Sequence, residues 1–217
     1  MLPIFMMCDH KMDLAERVAI MEAVSEFRSL FAERRIIDFE DVGWGVNTDR
    51  DSADWYISAA RKVYRARGLY EEATEQLDAD SIIDAMEWVQ STEVKKTPQQ
   101  KMAPFIQFLL TSYDLTRDGM DFCYGLTRDR YSVQSLYRYR ELRPREQKLA
   151  IKAMIWHVLG HLLGMAKDRP NRHCDKYGCI MRRSTNLEEW VEHARDSRGR
   201  GRIYCHQCMT DAKRSKI

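Results

Sequence analysis

The chain has 217 residues, 44% of them hydrophobic, which suits one globular domain able to bury its own core. Its 35 basic residues nearly balance 33 acidic ones, and a net charge of +2 argues against a nucleic-acid binder or a disordered acidic chain. No apolar run approaches the roughly 20 residues that span a bilayer. The short apolar start (MLPIFMM) lacks the basic lead of a signal peptide, so the expectation is a cytoplasmic protein without membrane contact.

Asp13 to about Arg35 reads as an amphipathic helix. Asp13 can cap it, Glu16 three residues on completes a capping box, and Leu14, Val18, Met21, Val24, Phe27 and Phe31 recur at helical spacing. Ile36 to Val46 reads as a strand weakened at its end by Gly43 and Gly45, and 53–67 and 78–89 read as helices. Phe105 to Thr111 is a short continuous apolar run, the pattern of a buried strand, and Tyr131 to Tyr139 alternates loosely as another strand would. Pro144 opens a helix, where its missing N–H costs nothing, and the helix runs to about Leu163 before Gly164 ends it. A mixed order of strands and helices, followed by an irregular cysteine-rich tail, predicts an α/β sandwich with a metal-bound C-terminal segment, read as a single domain over 1–217. Residues 195–202 (RDSRGRGR) read as its most mobile loop.

The chemistry concentrates after residue 156. His157 and His161 lie four apart on the predicted helix, one turn above another, so both imidazoles can meet one zinc from the same face at about 2.0–2.1 Å. Gly164 then allows a sharp turn, so that a third ligand can approach from another direction. Of six cysteines, Cys174 and Cys179 form one pair and Cys205 and Cys208 another, the latter with a two-residue spacer. In a reducing compartment, paired cysteines of this kind read as the closed four-thiolate site of a structural zinc. His206 is the runner-up fourth ligand, but it lies inside that spacer. Cys8 with His10 is an incidental pair, and Cys123, among apolar and aromatic residues, reads as a core thiol.

These residues resemble the archaemetzincins, whose pattern is HExxHxxGxxHC, four residues, CxM and a downstream CxxC. The matching positions here are His157, His161, Gly164, Cys174, Cys179, Met181, Cys205 and Cys208. Upstream, 110–115 and 121–125 look like the family's strand and the segment after it, and 132–138 looks like its edge-strand region; the likeness covers roughly 75–210. The resemblance implies a compact metzincin-like fold, a catalytic-type zinc on three histidines, a second zinc on four cysteines, and Met181 as the Met-turn residue.

Two departures stand out. Val158 occupies the place of the family's glutamate, the general base of peptide hydrolysis, and valine accepts no proton. Lys167 stands where the third histidine is expected, and a protonated lysine cannot bind zinc. His173, directly before Cys174, becomes that ligand if 167–172 is an insertion; otherwise the site has two ligands. The expected function is an archaemetzincin-like zinc metallopeptidase homologue with lost or impaired hydrolysis, binding a peptide or partner protein. One alternative is a working peptidase with Asp168 or Asp175 as base. Another is a nucleic-acid accessory role for Arg195, Arg198, Arg200, Arg202, Lys213, Arg214 and Lys216.

Overall fold

The computed structural model describes residues 4–32, 53–66, 76–93, 106–199 and 201–215, so the strand expected over 36–46 lies outside the described residues. The chain divides into two compact units, one formed by residues 2–12 and 40–138 and the other chiefly by 13–39 and 139–217.

The first unit carries the strands. β1 (Ile4–Cys8), β3 (Ile106–Thr111) and β7 (Tyr131–Ser135) run parallel in the order β1-β3-β7, and β6 (Gly125–Arg128) closes the edge antiparallel to β7. A second sheet sets β2 (Gln76–Asp78) parallel to β4 (Asp114–Arg117), with β5 (Met120–Cys123) antiparallel beyond it. Every residue of β3 is buried, as its unbroken apolar run requires of a central parallel strand. Helices α2 (Ala53–Ala66) and α3 (Ala79–Glu93) contribute Tyr56, Ile82, Ile83 and Met86 to a core shared with Leu109 and Val133. The fully buried Asp9 is satisfied by the Thr111 and Ser112 hydroxyls and the Ser112 N–H at 2.6–3.0 Å, which ties β1 to the end of β3. The region 132–138 is not an edge: β7 lies between β3 and β6, and the strand stops at Ser135, where a 3-10 turn over Tyr137–Glu141 takes over. Cys123 is half-buried against the core, and burial pushes its thiol up to about 11.

The second unit is helical: α1 (Leu14–Ala32), α4 (Pro144–Leu162), α5 (Leu187–Gly199) and α6 (His206–Arg214), with both α1 and α5 packed on α4. The capping box forms as the sequence indicates: the Glu16 N–H donates to Asp13 at 2.8 Å and the Asp13 N–H to Glu16 at 3.1 Å. The buried face of α1 is Ala19, Ile20, Ala23, Phe27 and Phe31, whereas Leu14, Val18 and Met21 of the predicted stripe are exposed. α4 is buried continuously from Leu149 to Gly160, and the Trp156 indole donates to the Ala23 carbonyl at 3.0 Å. The expected mobile loop is also corrected, because residues 195–199 are the last turns of α5. Arginine is a good helix former, and Arg195 is paired there with Glu146 at 3.1 Å. No helix among the described residues is long and apolar enough to cross a membrane.

Candidate metal centre

Burial of its central stretch fixes α4, and its C-terminal turns present His157 and His161 on one side. Their Nε2 atoms lie 2.9 Å apart. Gly164, at φ 76°, ends the helix in a Schellman motif: its N–H donates to the His161 carbonyl and that of Met165 to the Gly160 carbonyl, both at 2.9 Å. The chain then doubles back through three more left-handed residues, Ala166, Asn171 and Arg172, none of them glycine. That path delivers His173, whose ring centroid lies 5.1 Å from those of both His157 and His161. One ring nitrogen from each of the three lies within 4.8 Å of the others. Lys167 is exposed on the returning loop.

Backbone carbonyls set the tautomers. The Nδ1–H of His157 donates to the Ile180 carbonyl at 2.7 Å and that of His173 to the Asn171 carbonyl at 2.5 Å, which leaves Nε2 of each ring as the acceptor. Burial, then the neighbouring His161, holds His157 well below the usual histidine range. Burial, with His173 and Arg172 beside it, pushes His161 down to about 3. Burial also lowers His173, helped by Arg183 and Arg172. Three neutral imidazoles at neutral pH are the state in which a metal is bound.

Around the trio, Trp190 packs edge-on against His157 with ring centroids 4.9 Å apart, and its buried indole N–H has no acceptor among the described residues. Met181 is fully buried beneath α4. A Cβ added to Gly160 would come within 2.3 Å of the Met181 sulfur, so the glycine is there for space. The Met181 carbonyl accepts from the Cys174 N–H at 2.8 Å, joining this turn to the second cluster. Val158 is buried, and among the described residues no carboxylate joins the histidine cluster.

The four cysteines of the tail converge as well. The sulfurs of Cys174 and Cys205 are 3.8 Å apart and those of Cys179 and Cys208 are 3.7 Å apart. A tetrahedron with metal–sulfur bonds of about 2.3 Å has edges of about 3.8 Å, whereas a disulfide would need about 2.05 Å. Backbone N–H groups of Lys176 and Cys205 point at Cys174 and Cys179, each at 3.4 Å. Hydrogen bonding with Cys208 and with backbone N–H groups draws Cys179 down to about 5, while burial pushes Cys174 up to about 11. Arg169, paired with Asp211 at 2.7 Å, lies beside this set. Although burial works against it, the charges of Cys208, Cys174 and Asp211 raise its pKa above the ordinary range. The runner-up ligand His206 is exposed and outside the cluster, and His10 pairs with Asp54 at 2.6 Å, in no metal-type grouping with Cys8 among the described residues. Gly160, Trp190 and the Ile180 carbonyl were not anticipated. Only Gly160 left a signal, since a glycine inside a helix calls for a packing reason.

An α/β fold carrying two histidines on a helix that ends at a sharp glycine turn, a third on the loop that returns from it and a buried methionine beneath, defines a metzincin-like protein with candidate metal sites. The chain belongs to Peptidase family M54, the archaemetzincins, which it matches over residues 22–214. It is 33% identical over 78 residues to the archaemetzincin of Saccharolobus solfataricus (33% of this chain, 39% of the relative) and equally to that of Saccharolobus islandicus strain Y.N.15.51. The match thus spans well under half the length of these curated relatives. Among solved structures, the fold resembles a zinc-dependent peptidase from Methanocorpusculum labreanum (TM-score 0.62, 16% identity, 96% of this chain and 99% of that one). It also resembles archaemetzincin from Methanopyrus kandleri (TM-score 0.58, 16% identity, 99% and 94%).

Proposed function

We propose that this chain is a zinc-binding archaemetzincin homologue with lost or strongly weakened peptide-bond hydrolysis, which holds a peptide or a partner protein without cutting it. His157, His161 and His173 would hold one zinc, and Cys174, Cys179, Cys205 and Cys208 a second, structural one. Met181 serves as the Met-turn residue, seated against Gly160. The family match, which runs through both compact units, supports reading 1–217 as a single peptidase-like domain.

One observation carries this reading: the imidazole cluster includes no carboxylate among the described residues. Zinc bound there supplies Lewis acidity that can bring the pKa of water to about 7. Peptide hydrolysis also needs a positioned group to take the proton and return it to the leaving amine, and the Val158 side chain can do neither. Asp168 and Asp175 are exposed and outside the cluster, which speaks against their service as base.

The test is Val158→Glu, with zinc content and folding checked in both proteins. The variant is expected to hydrolyse peptides about 10²–10⁴ times faster than the unmodified chain, and His161→Ala placed on top should remove the gain. Zinc-dependent cleavage by the unmodified chain at a rate matching the variant would overturn the proposal.

A further inference from the structure

Away from both metal clusters, the start of α4 and the C-terminal half of α5 border an open cleft of about 580 Å³, lined by Arg143, Arg145, Lys148, Leu149, Arg195 and Arg198, with Glu146 the only acid among the described lining residues. This is a concentration of positive charge in a chain whose net charge is only +2. Three of the cations are partly offset. Arg195 pairs with Glu146 at 3.1 Å, Lys148 with Glu22 at 2.6 Å, and Arg198 approaches Glu26 at 4.0 Å. Arg143 and Arg145 are exposed and make no side-chain hydrogen bond or ion pair among the described residues. Nothing among the described residues therefore partners these two guanidiniums, both of which line the cleft.

The backbone points the same way. Arg143 is the N-cap of α4 but makes no side-chain capping bond, and Pro144 begins the helix. The N–H groups of Arg145 and Glu146 belong to the first turn, which has no intrahelical acceptor. They belong to the positive end of a 19-residue helix whose first turn borders the cleft. The one carboxylate of the lining is already turned to Arg195.

We propose that this cleft binds a small anion carrying several phosphate groups, with Arg143, Arg145 and the first turn of α4 taking one phosphate and Arg195, Arg198 and Lys148 the others. The volume of the cleft falls in the range of small-molecule sites. A nucleic-acid strand fits less well. The cations surround a hollow, and Glu22 and Glu26, which pair with Lys148 and Arg198, would repel a polyanion laid across that side. The arginines of 195–202 flagged in the sequence thus contribute two members, Arg195 and Arg198, to a site completed by α4.

The probe is inorganic tripolyphosphate, titrated calorimetrically into the zinc-loaded full chain, with zinc content measured afterwards because the probe also binds metal. The expected result is saturable one-to-one binding that persists in His161→Ala. Arg143→Gln with Arg145→Gln should weaken it by about ten-fold or more, as loss of charge-assisted bonds to phosphate implies. Lys213→Gln, which removes an exposed charge on α6 outside the cleft lining, should leave it unchanged. Both arginines are exposed and unpartnered, so the double variant is expected to fold normally, and an unchanged melting temperature without the probe checks this. Binding that survives the double variant, disappears in His161→Ala, or occurs with a single-stranded oligonucleotide but not with tripolyphosphate would overturn the proposal.

Discussion

Replacing Gly160 with alanine sets two physical effects of opposite sign against each other. In a helix interior, alanine is favoured over glycine by about 0.5–1 kcal/mol. Here, however, the new Cβ would lie 2.3 Å from the Met181 sulfur and 3.2 Å from both the Met165 sulfur and the Tyr204 ring. Met181 cannot simply retreat: it is fully buried, and its carbonyl is tied to the Cys174 N–H at 2.8 Å. Overpacking a closed site costs about 1–3 kcal/mol, so the clash outweighs the propensity gain and the net expectation is a loss of roughly 1–2 kcal/mol. Urea denaturation of the zinc-loaded chain should show a lower midpoint with an unchanged slope. Shortening the partner gives the sharper test. Met181→Ala alone opens a cavity and costs about 2–5 kcal/mol, and the double variant should cost less than the sum by about 1 kcal/mol or more. A stabilised Gly160→Ala, or strict additivity in the double variant, would refute the claim that this glycine is a seat for the methionine.

Two further outcomes follow from the same unit. His157, His161 and His173 all have depressed pKa values when folded, so their contribution to stability is complete above the unfolded value of about 6.5 and is lost as pH falls below it, because the unfolded chain takes up protons that the folded one refuses. For His161, which stays neutral down to about 3, the loss between pH 6.5 and 5 is about 2 kcal/mol. Urea midpoints of zinc-free protein across that range should fall in the unmodified chain and fall less in His161→Ala; parallel profiles would contradict the assignment. Glu16→Ala should cost about 2–3 kcal/mol, because the buried carboxylate accepts from Arg140 at 2.8 and 3.0 Å and caps α1 through the Asp13 N–H. Glu16→Gln should cost less, and thermal melts of the two variants that coincide would argue against the ion pair.

What could be read from the sequence was local. The Asp13–Glu16 box, the four-residue spacing of His157 and His161, Pro144 and Gly164 at the two ends of α4, and the two cysteine pairs each act over a few residues, and each recurs in the structure as expected. The partner of a face is not local information. α1 offers two apolar stripes, and only its packing on α4 decides that Ala19, Ile20 and Ala23 go inside while Leu14, Val18 and Met21 stay out. β4, β5 and β6 are four-residue strands with polar residues among them and show no clear alternation. β1, of which Ile4 and Met7 are buried, takes its place by pairing with β3 about a hundred residues later, which no pattern in its own five residues announces. At the site, His173 could be placed only conditionally, because the loop that delivers it relies on left-handed Asn171 and Arg172. Trp190 reaches His157 through the docking of α5 on α4, which leaves no spacing signature.

The most direct test of the account is the number of zinc ions per folded chain, measured by elemental analysis after dialysis against weak chelator. The account predicts two in the unmodified chain, one in His161→Ala and one in His173→Ala, with the remaining ion lost only when Cys205 and Cys208 are also replaced by serine. A chain that folds with no zinc, or a His173→Ala variant that still holds two, would contradict it.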